Sequence, residues 1–156
     1  MSPRRPVLAT LAAAALSLGV LTGCEKPVPE VGALAGGEFA QAEASLWCFE
    51  GQAYRQVGDC REHRRTPTKL SVRPGAAVAV EVPKVVKDRG WFVRVVDGAN
   101  KVGAGPIQKD RSYFTLAADF SQGNTMQIQV VALPDGPGKG ETSGFWEFAL
   151  INADAS

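Results

Sequence analysis

The side chains best suited to chemistry in this sequence are three cysteines and one histidine: Cys24, Cys48, Cys60 and His63. A zinc site needs about four Cys or His ligands, so these residues predict no metal centre. There is no C-x-x-C pair, which argues against a reactive dithiol. Nucleophilic catalysis needs a base near a Ser or Cys. His63 lies among the arginines Arg61, Arg64 and Arg65, and a solvated loop histidine is the favoured interpretation.

Carboxylates are the remaining candidates for catalysis. The chain carries 16 Asp and Glu residues, but no spacing singles out a pair for acid–base work. No nucleotide-binding glycine motif is present. The sequence therefore predicts no catalytic residue, no metal and no cofactor. An enzyme with a carboxylate-lined pocket stays open as the alternative.

A basic and then apolar stretch precedes the first cysteine. Residues 1–5 carry Arg4 and Arg5 without an acid, and residues 6–21 carry no charge. This order, followed by small residues, is typical of a secretory signal peptide. The apolar run is shorter than the roughly 20 residues that a membrane-spanning helix needs.

Residues 21–24 read Leu-Thr-Gly-Cys, which resembles the lipobox of bacterial lipoproteins. The resemblance implies that a diacylglyceryl group joins the sulfur of Cys24 and that residues 1–23 are removed. Further acylation, by palmitate for example, of the new amino group stays open. Two acyl chains matter because one chain alone gives only marginal, reversible membrane binding. The expected location is the extracytoplasmic face of the cell membrane, with the lipid as the anchor.

Removal of the signal peptide would leave 133 of the 156 residues, which is the size of one ordinary domain. The net charge of that chain, −1, does not suggest nucleic acid as a partner. With Cys24 lipidated and the chain exported to an oxidising compartment, Cys48 and Cys60 are predicted to form a disulfide bond.

The organisation of the remaining chain follows from its hydrophobic pattern. Residues 24–37 contain two prolines and no hydrophobic period, and they are predicted to be a flexible tether. In residues 38–153, apolar and polar residues alternate in about seven short stretches. Strands are expected within residues 42–51, 68–75, 77–83, 90–98, 112–120, 125–133 and 144–152. This pattern predicts an all-β domain, an Ig-like β-sandwich.

One possible binding surface combines aromatic and basic residues. It consists of Trp47, Phe49, Arg61, Arg64 and Arg65. The two aromatics alternate with alanines, so they are exposed if the alanines face the core and buried if they do not. The arginines belong to residues 55–73, which hold six basic residues and two acids. They are either a solvated loop or a patch for an anionic envelope component.

The order GCEKP, two cysteines, LSVRPGAAVAVEVP, DRGWFVRVVDG and GFWEFAL is similar to that of a domain-of-unknown-function family of uncharacterised actinobacterial membrane lipoproteins. The resemblance implies a location and a fold, without an activity. We expect a non-catalytic binding or scaffold module of the envelope, whose partner is an anionic envelope polymer or another envelope protein. The alternative is an envelope enzyme or a small solute-binding subunit.

Overall fold

The computed structural model describes residues 26–54, 59–97, 100–135 and 142–155. These residues contain eleven β-strands and one short helix. The elements are β1 (Glu30–Ala35), β2 (Glu38–Glu43), β3 (Leu46–Cys48), β4 (Cys60–Glu62), β5 (Thr68–Val72), β6 (Ala77–Glu81), α1 (Lys84–Arg89), β7 (Trp91–Asp97), β8 (Asn100–Ala104), β9 (Tyr113–Ala117), β10 (Thr125–Ala132) and β11 (Gly144–Asn152). No helix in this part of the chain is long and apolar enough to cross a membrane.

The strands form two sheets of a β-sandwich. The first sheet has the order β2-β1-β6-β9, and the second has the order β4-β3-β11-β10-β7-β8. Strand β3 pairs with the start of β11, and β5 pairs in parallel with the end of β11. The neighbours β6 and β9 in one sheet, and β11, β10 and β7 in the other, follow the strand order of an immunoglobulin-like sandwich. The prediction of an all-β, Ig-like sandwich is confirmed.

Large apolar residues at alternate positions of the strands place the core between the sheets. In β11, Trp146, Phe148 and Leu150 are fully buried and face the interior. In β10, Ile128 and Val130 do the same. Full burial of such a side chain contributes roughly 1.5–3 kcal/mol each, so these strands carry much of the driving force. Each of the seven predicted segments contains a strand.

The prediction that residues 24–37 form a flexible tether is wrong for most of them. Residues 30–35 form β1, whose Val31, Ala33 and Ala35 are buried in the core. Strand β1 turns into β2 through Gly36 and Gly37, which have φ angles of 58° and 89°. A two-residue hairpin with both φ angles positive is a type I′ turn, which glycine adopts readily. The folded domain therefore begins at Glu30 and not at residue 38.

The residues just before β1 are also attached to the domain. Val28 packs against the core. The indole Nε1 of Trp146 donates a hydrogen bond of 2.8 Å to the carbonyl oxygen of Pro29. Of the predicted tether, the structure describes only Lys26 to Pro29 outside the strands and the hairpin turn, and three of these four residues, Lys26, Val28 and Pro29, contact the sandwich.

Candidate functional site

The disulfide joins two short paired strands. Cys48 ends β3 and Cys60 begins β4, and the two residues lie opposite each other in the antiparallel pair. They form a disulfide bond, which confirms the prediction. The bridge is local, closing the loop between β3 and β4 rather than joining the two sheets.

A buried arginine holds the polypeptide next to this disulfide. Arg89 ends α1, and its side chain is only 6% exposed. The guanidinium donates to the carbonyl oxygens of Cys48 (2.8 Å) and Phe49 (3.0 Å). Its Cζ lies 4.1 Å from the ring centroid of Trp47. Burial lowers the pKa of Arg89, and the carboxylate of Asp135 offsets part of that shift.

Trp47 does not belong to an exposed surface, so this part of the predicted binding surface is wrong. Its side chain is 2% exposed and its ring centroid lies 5.7 Å from that of Trp146. The chain passes from the first sheet to the second between Glu43 and Leu46, which shifts the alternation. Ala44 and Trp47 therefore both join the core, although a continuous strand would place them on opposite faces.

Phe49 lies at the edge of the core with cations around its ring. It is partly buried and packs against the core cluster. The Nζ atom of Lys26 lies 5.7 Å from the ring centroid, and the Cζ atom of Arg61 lies 5.1 Å from it. Two members of the predicted surface, Phe49 and Arg61, are therefore brought together, and Lys26 joins them.

The other two predicted arginines lie in a separate cleft. Arg64 and Arg65 line a cleft of about 390 Å³ together with Glu43 and Glu147. Arg65 forms an ion pair of 2.5 Å with Glu43, and both side chains are about half exposed. The predicted basic surface is therefore divided, and one of its cations is paired with a carboxylate.

Both carboxylates of this cleft already have donors. One oxygen of Glu147 accepts from the hydroxyl of Ser45 at 3.0 Å, and the other accepts from the amide of Gln129 at 2.8 Å. The Nε atom of Arg94 donates to Gln129 at 2.7 Å. Burial lowers the pKa of Arg94, and the charge of Glu147 acts in the opposite direction. This network holds three strands of the second sheet together on its outer face.

A second concave surface lies on the outer face of the first sheet, and we call it the outer groove. It has a volume of about 320 Å³ and is lined by Gly32, Leu34, Phe39, Ala79, Val80, Glu81 and Tyr113. Three of its side chains are large, apolar and exposed: Leu34 by 47%, Phe39 by 60% and Tyr113 by 66%.

The sequence does not predict the outer groove, because residues 24–37, which include β1, read as a flexible tether. The available signal was the Gly36-Gly37 pair between two alternating stretches, which is typical of a hairpin. The ring of Phe39 covers Gly32, since a Cβ atom there would lie 2.8 Å from Cε2 of the ring. A glycine on one strand thus provides the space for an aromatic ring from the next strand.

The described residues contain no group of three or more His, Cys, Asp or Glu side chains that could hold a metal ion. His63 is exposed. Cys24 and the signal-peptide residues lie outside the described part of the chain. A scan of protein-family models and searches of curated proteins and of solved structures found no match. The resemblance to the actinobacterial lipoproteins therefore stays a prediction.

Proposed function

We propose that this protein is a lipid-anchored, extracytoplasmic membrane lipoprotein whose sandwich domain is a non-catalytic binding module of the envelope. The observation that carries the proposal is the position of the domain relative to the lipobox. Only five residues, 25–29, separate Cys24 from the first residue of β1. A chain that folds immediately after a lipobox cysteine is well suited to sit on a membrane.

The short connection restricts the orientation of the domain. Lys26 is two residues from Cys24, so their Cα atoms are at most about 7 Å apart. The Nζ atom of Lys26 in turn lies 5.7 Å from the ring of Phe49. A lipid on Cys24 would therefore hold the end of the domain with Phe49, the disulfide and Arg61 against the bilayer. The flexible tether of the sequence-based prediction would have left the orientation free.

Charge supports this arrangement less strongly than the lipid does. A cation near an anionic membrane surface contributes about 1 kcal/mol, and Lys26 and Arg61 are both close to the proposed anchor. The exposed Glu50 follows Phe49 and the exposed Asp59 lies two residues before Arg61, and these two acids balance the charges of Lys26 and Arg61. Acyl chains contribute about 0.8 kcal/mol for each buried methylene group, so the lipid dominates the membrane affinity. We propose that the arginines orient the domain or bind an anionic envelope polymer.

The cleft geometry favours a binding module over an enzyme. A general acid or base has to exchange a proton with a substrate, and so needs a free position toward it. In the carboxylate-lined cleft, Glu147 accepts hydrogen bonds on both oxygens and Glu43 is paired with Arg65. Glu147 is hydrogen-bonded to β10 and to the segment before β3, and the charge of Glu43 is paired with that of Arg65, so both carboxylates have structural partners, which supports the non-catalytic proposal.

The proposal is tested by producing the full-length chain in a bacterial host and separating membrane proteins by detergent-phase partition. We expect the wild-type protein in the detergent phase. The Cys24→Ala variant should keep its signal peptide and lose the lipid. The matched control is Ser17→Ala, which changes the apolar run but leaves residues 21–24 intact, and it should behave as wild type. A Cys24→Ala variant that is processed and partitions as wild type does would refute the anchor.

A further inference from the structure

The outer groove combines features of a ligand site that the anchor does not explain. Among the described residues, five large hydrophobic side chains are exposed, and three of these five line this one groove. Its floor contains the small residues Gly32 and Ala79, so the concavity is formed by the sheet itself. Contiguous exposed apolar surface on a small domain marks a binding site more often than chance exposure does. We propose that the outer groove binds an uncharged polysaccharide chain.

The two aromatic rings are spaced along a row across the sheet. Gly32, Glu81 and Tyr113 lie directly opposite one another on β1, β6 and β9. Adjacent strands are about 4.8 Å apart, so Gly32 and Tyr113 are separated by roughly 10 Å. The ring of Phe39 lies over Gly32. The groove thus offers two aromatic rings with a carboxylate between them.

A sugar chain has the chemistry that this row would recognise. Each pyranose ring has a flat face of C–H groups, which packs on an aromatic ring, and a rim of hydroxyl groups. The carboxylate of Glu81 can accept hydrogen bonds from such hydroxyls, since an ionised carboxylate is an acceptor only. An extended polymer, and not a compact solute, matches a row that crosses three strands.

The charge and the size of the outer groove disfavour three other ligands: an anionic polymer, an anionic lipid headgroup and a second copy of the chain. Glu81 is the only charged residue among the described residues that line it. With a carboxylate and no cation in the lining, an anionic polymer or an anionic lipid headgroup would be repelled. A second copy of the chain is disfavoured by size, since a stable interface buries about 800 Å² on each partner and the groove is formed by seven residues.

This inference does not depend on the lipid anchor, and only the choice of envelope polysaccharides as the natural ligand rests on the proposed function. The test uses affinity electrophoresis of the full mature protein in detergent, through native gels that contain soluble mannan, xylan or neutral glucan. Alginate, an anionic polysaccharide, serves as the charged comparison. We expect retardation by at least one neutral polysaccharide and none by alginate.

Variants then locate the site. Phe39→Ala and Tyr113→Ala should each raise the Kd for the polysaccharide, measured from the retardation, about tenfold, as expected for the loss of one ring contact. Ile107→Ala is the matched control, because Ile107 is 55% exposed and lies outside the outer groove. It should leave the mobility unchanged. Melting curves of all three variants check that they fold.

Several outcomes would overturn the inference. One is the absence of retardation by every neutral polysaccharide, and another is retardation that both aromatic substitutions leave intact. A dimer that Phe39→Ala disperses would assign the groove to a second copy. Glu81→Gln keeps the shape and should keep binding within about threefold, so a shift of tenfold or more would indicate that charge dominates. The Cys24→Ala variant should bind the polysaccharide as wild type does, which separates this test from that of the anchor.

Discussion

Replacement of Arg89 by methionine should destabilise the domain strongly. The guanidinium of Arg89 is nearly inaccessible to solvent and donates to two backbone carbonyls, those of Cys48 and Phe49. Methionine keeps much of the apolar stem but removes both donors. The carbonyl of Phe49 then loses the bond from Arg89, and that of Cys48 keeps only the long 3.4 Å bond from the backbone N–H of Gly51, in a place where Trp47 and the core limit access of water.

The size of the effect follows from these contacts. A hydrogen bond from a charged donor contributes about 1.5–3 kcal/mol. Methionine does not require the desolvation of a cation, which offsets part of the loss of the two bonds. We therefore expect the free energy of unfolding to fall by about 3 kcal/mol. For a domain of this size that corresponds to a decrease of roughly 10 °C in Tm.

Denaturant unfolding followed by tryptophan fluorescence measures this change, with thermal unfolding by circular dichroism as a second readout. Asp135→Asn is an informative companion, because Asp135 is 62% exposed and its 3.8 Å ion pair with Arg89 should contribute less than about 1 kcal/mol. Arg73→Met is the matched control, since Arg73 is exposed. Equal stabilities of Arg89→Met and Arg73→Met would refute the reasoning.

Three further predictions concern the disulfide, the core aromatics and the loop arginines. Replacing both Cys48 and Cys60 by serine should lower the free energy of unfolding by about 3 kcal/mol in denaturant titrations, because the unfolded chain regains loop entropy. Free alkylation of both thiols in protein from its native compartment would contradict the bridge. Trp47→Ala should cost about 3–5 kcal/mol, and Phe49→Ala clearly less, because only Trp47 is fully buried. Equal losses would contradict this placement. Replacing Arg61, Arg64 and Arg65 together by serine should weaken binding to anionic vesicles at low salt and leave Tm nearly unchanged. Vesicle binding that ignores both salt and this variant would remove the arginines from the interaction.

The sandwich could be predicted from the sequence because its main strands carry large apolar residues at alternate positions. In β10 these are Met126, Ile128 and Val130, and in β11 they are Trp146, Phe148 and Leu150, all buried on one face of the sheet. That pattern needs no tertiary information. The parallel pairing of β5 with β11 could not be predicted in the same way, because it joins segments far apart in the chain.

The predictions for β1 and Trp47 were wrong because tertiary structure, and not the local sequence pattern, determines which of these residues are buried. In β1, one side of the alternation is filled by small alanines, so its period is weak, and its burial comes from the sheet around it. At residues 44 and 45 the chain changes sheets, and the alternation that would have placed Trp47 shifts by one residue. The outer groove depends on both points, since it needs β1 in the first sheet and Tyr113 beside it on β9. Phe39 and Tyr113 are far apart in the chain, and only the pairing of the strands in the first sheet brings them to one surface.

The central claim is that Cys24 is lipidated directly in front of a domain that folds from Glu30. Mass spectrometry of the N-terminal peptide from membrane-extracted protein tests it most directly. The account predicts a peptide that begins at Cys24 and carries the mass of a diacylglyceryl group, with or without a further acyl chain. An unmodified peptide that begins at another residue, found in the membrane-associated protein, would contradict it.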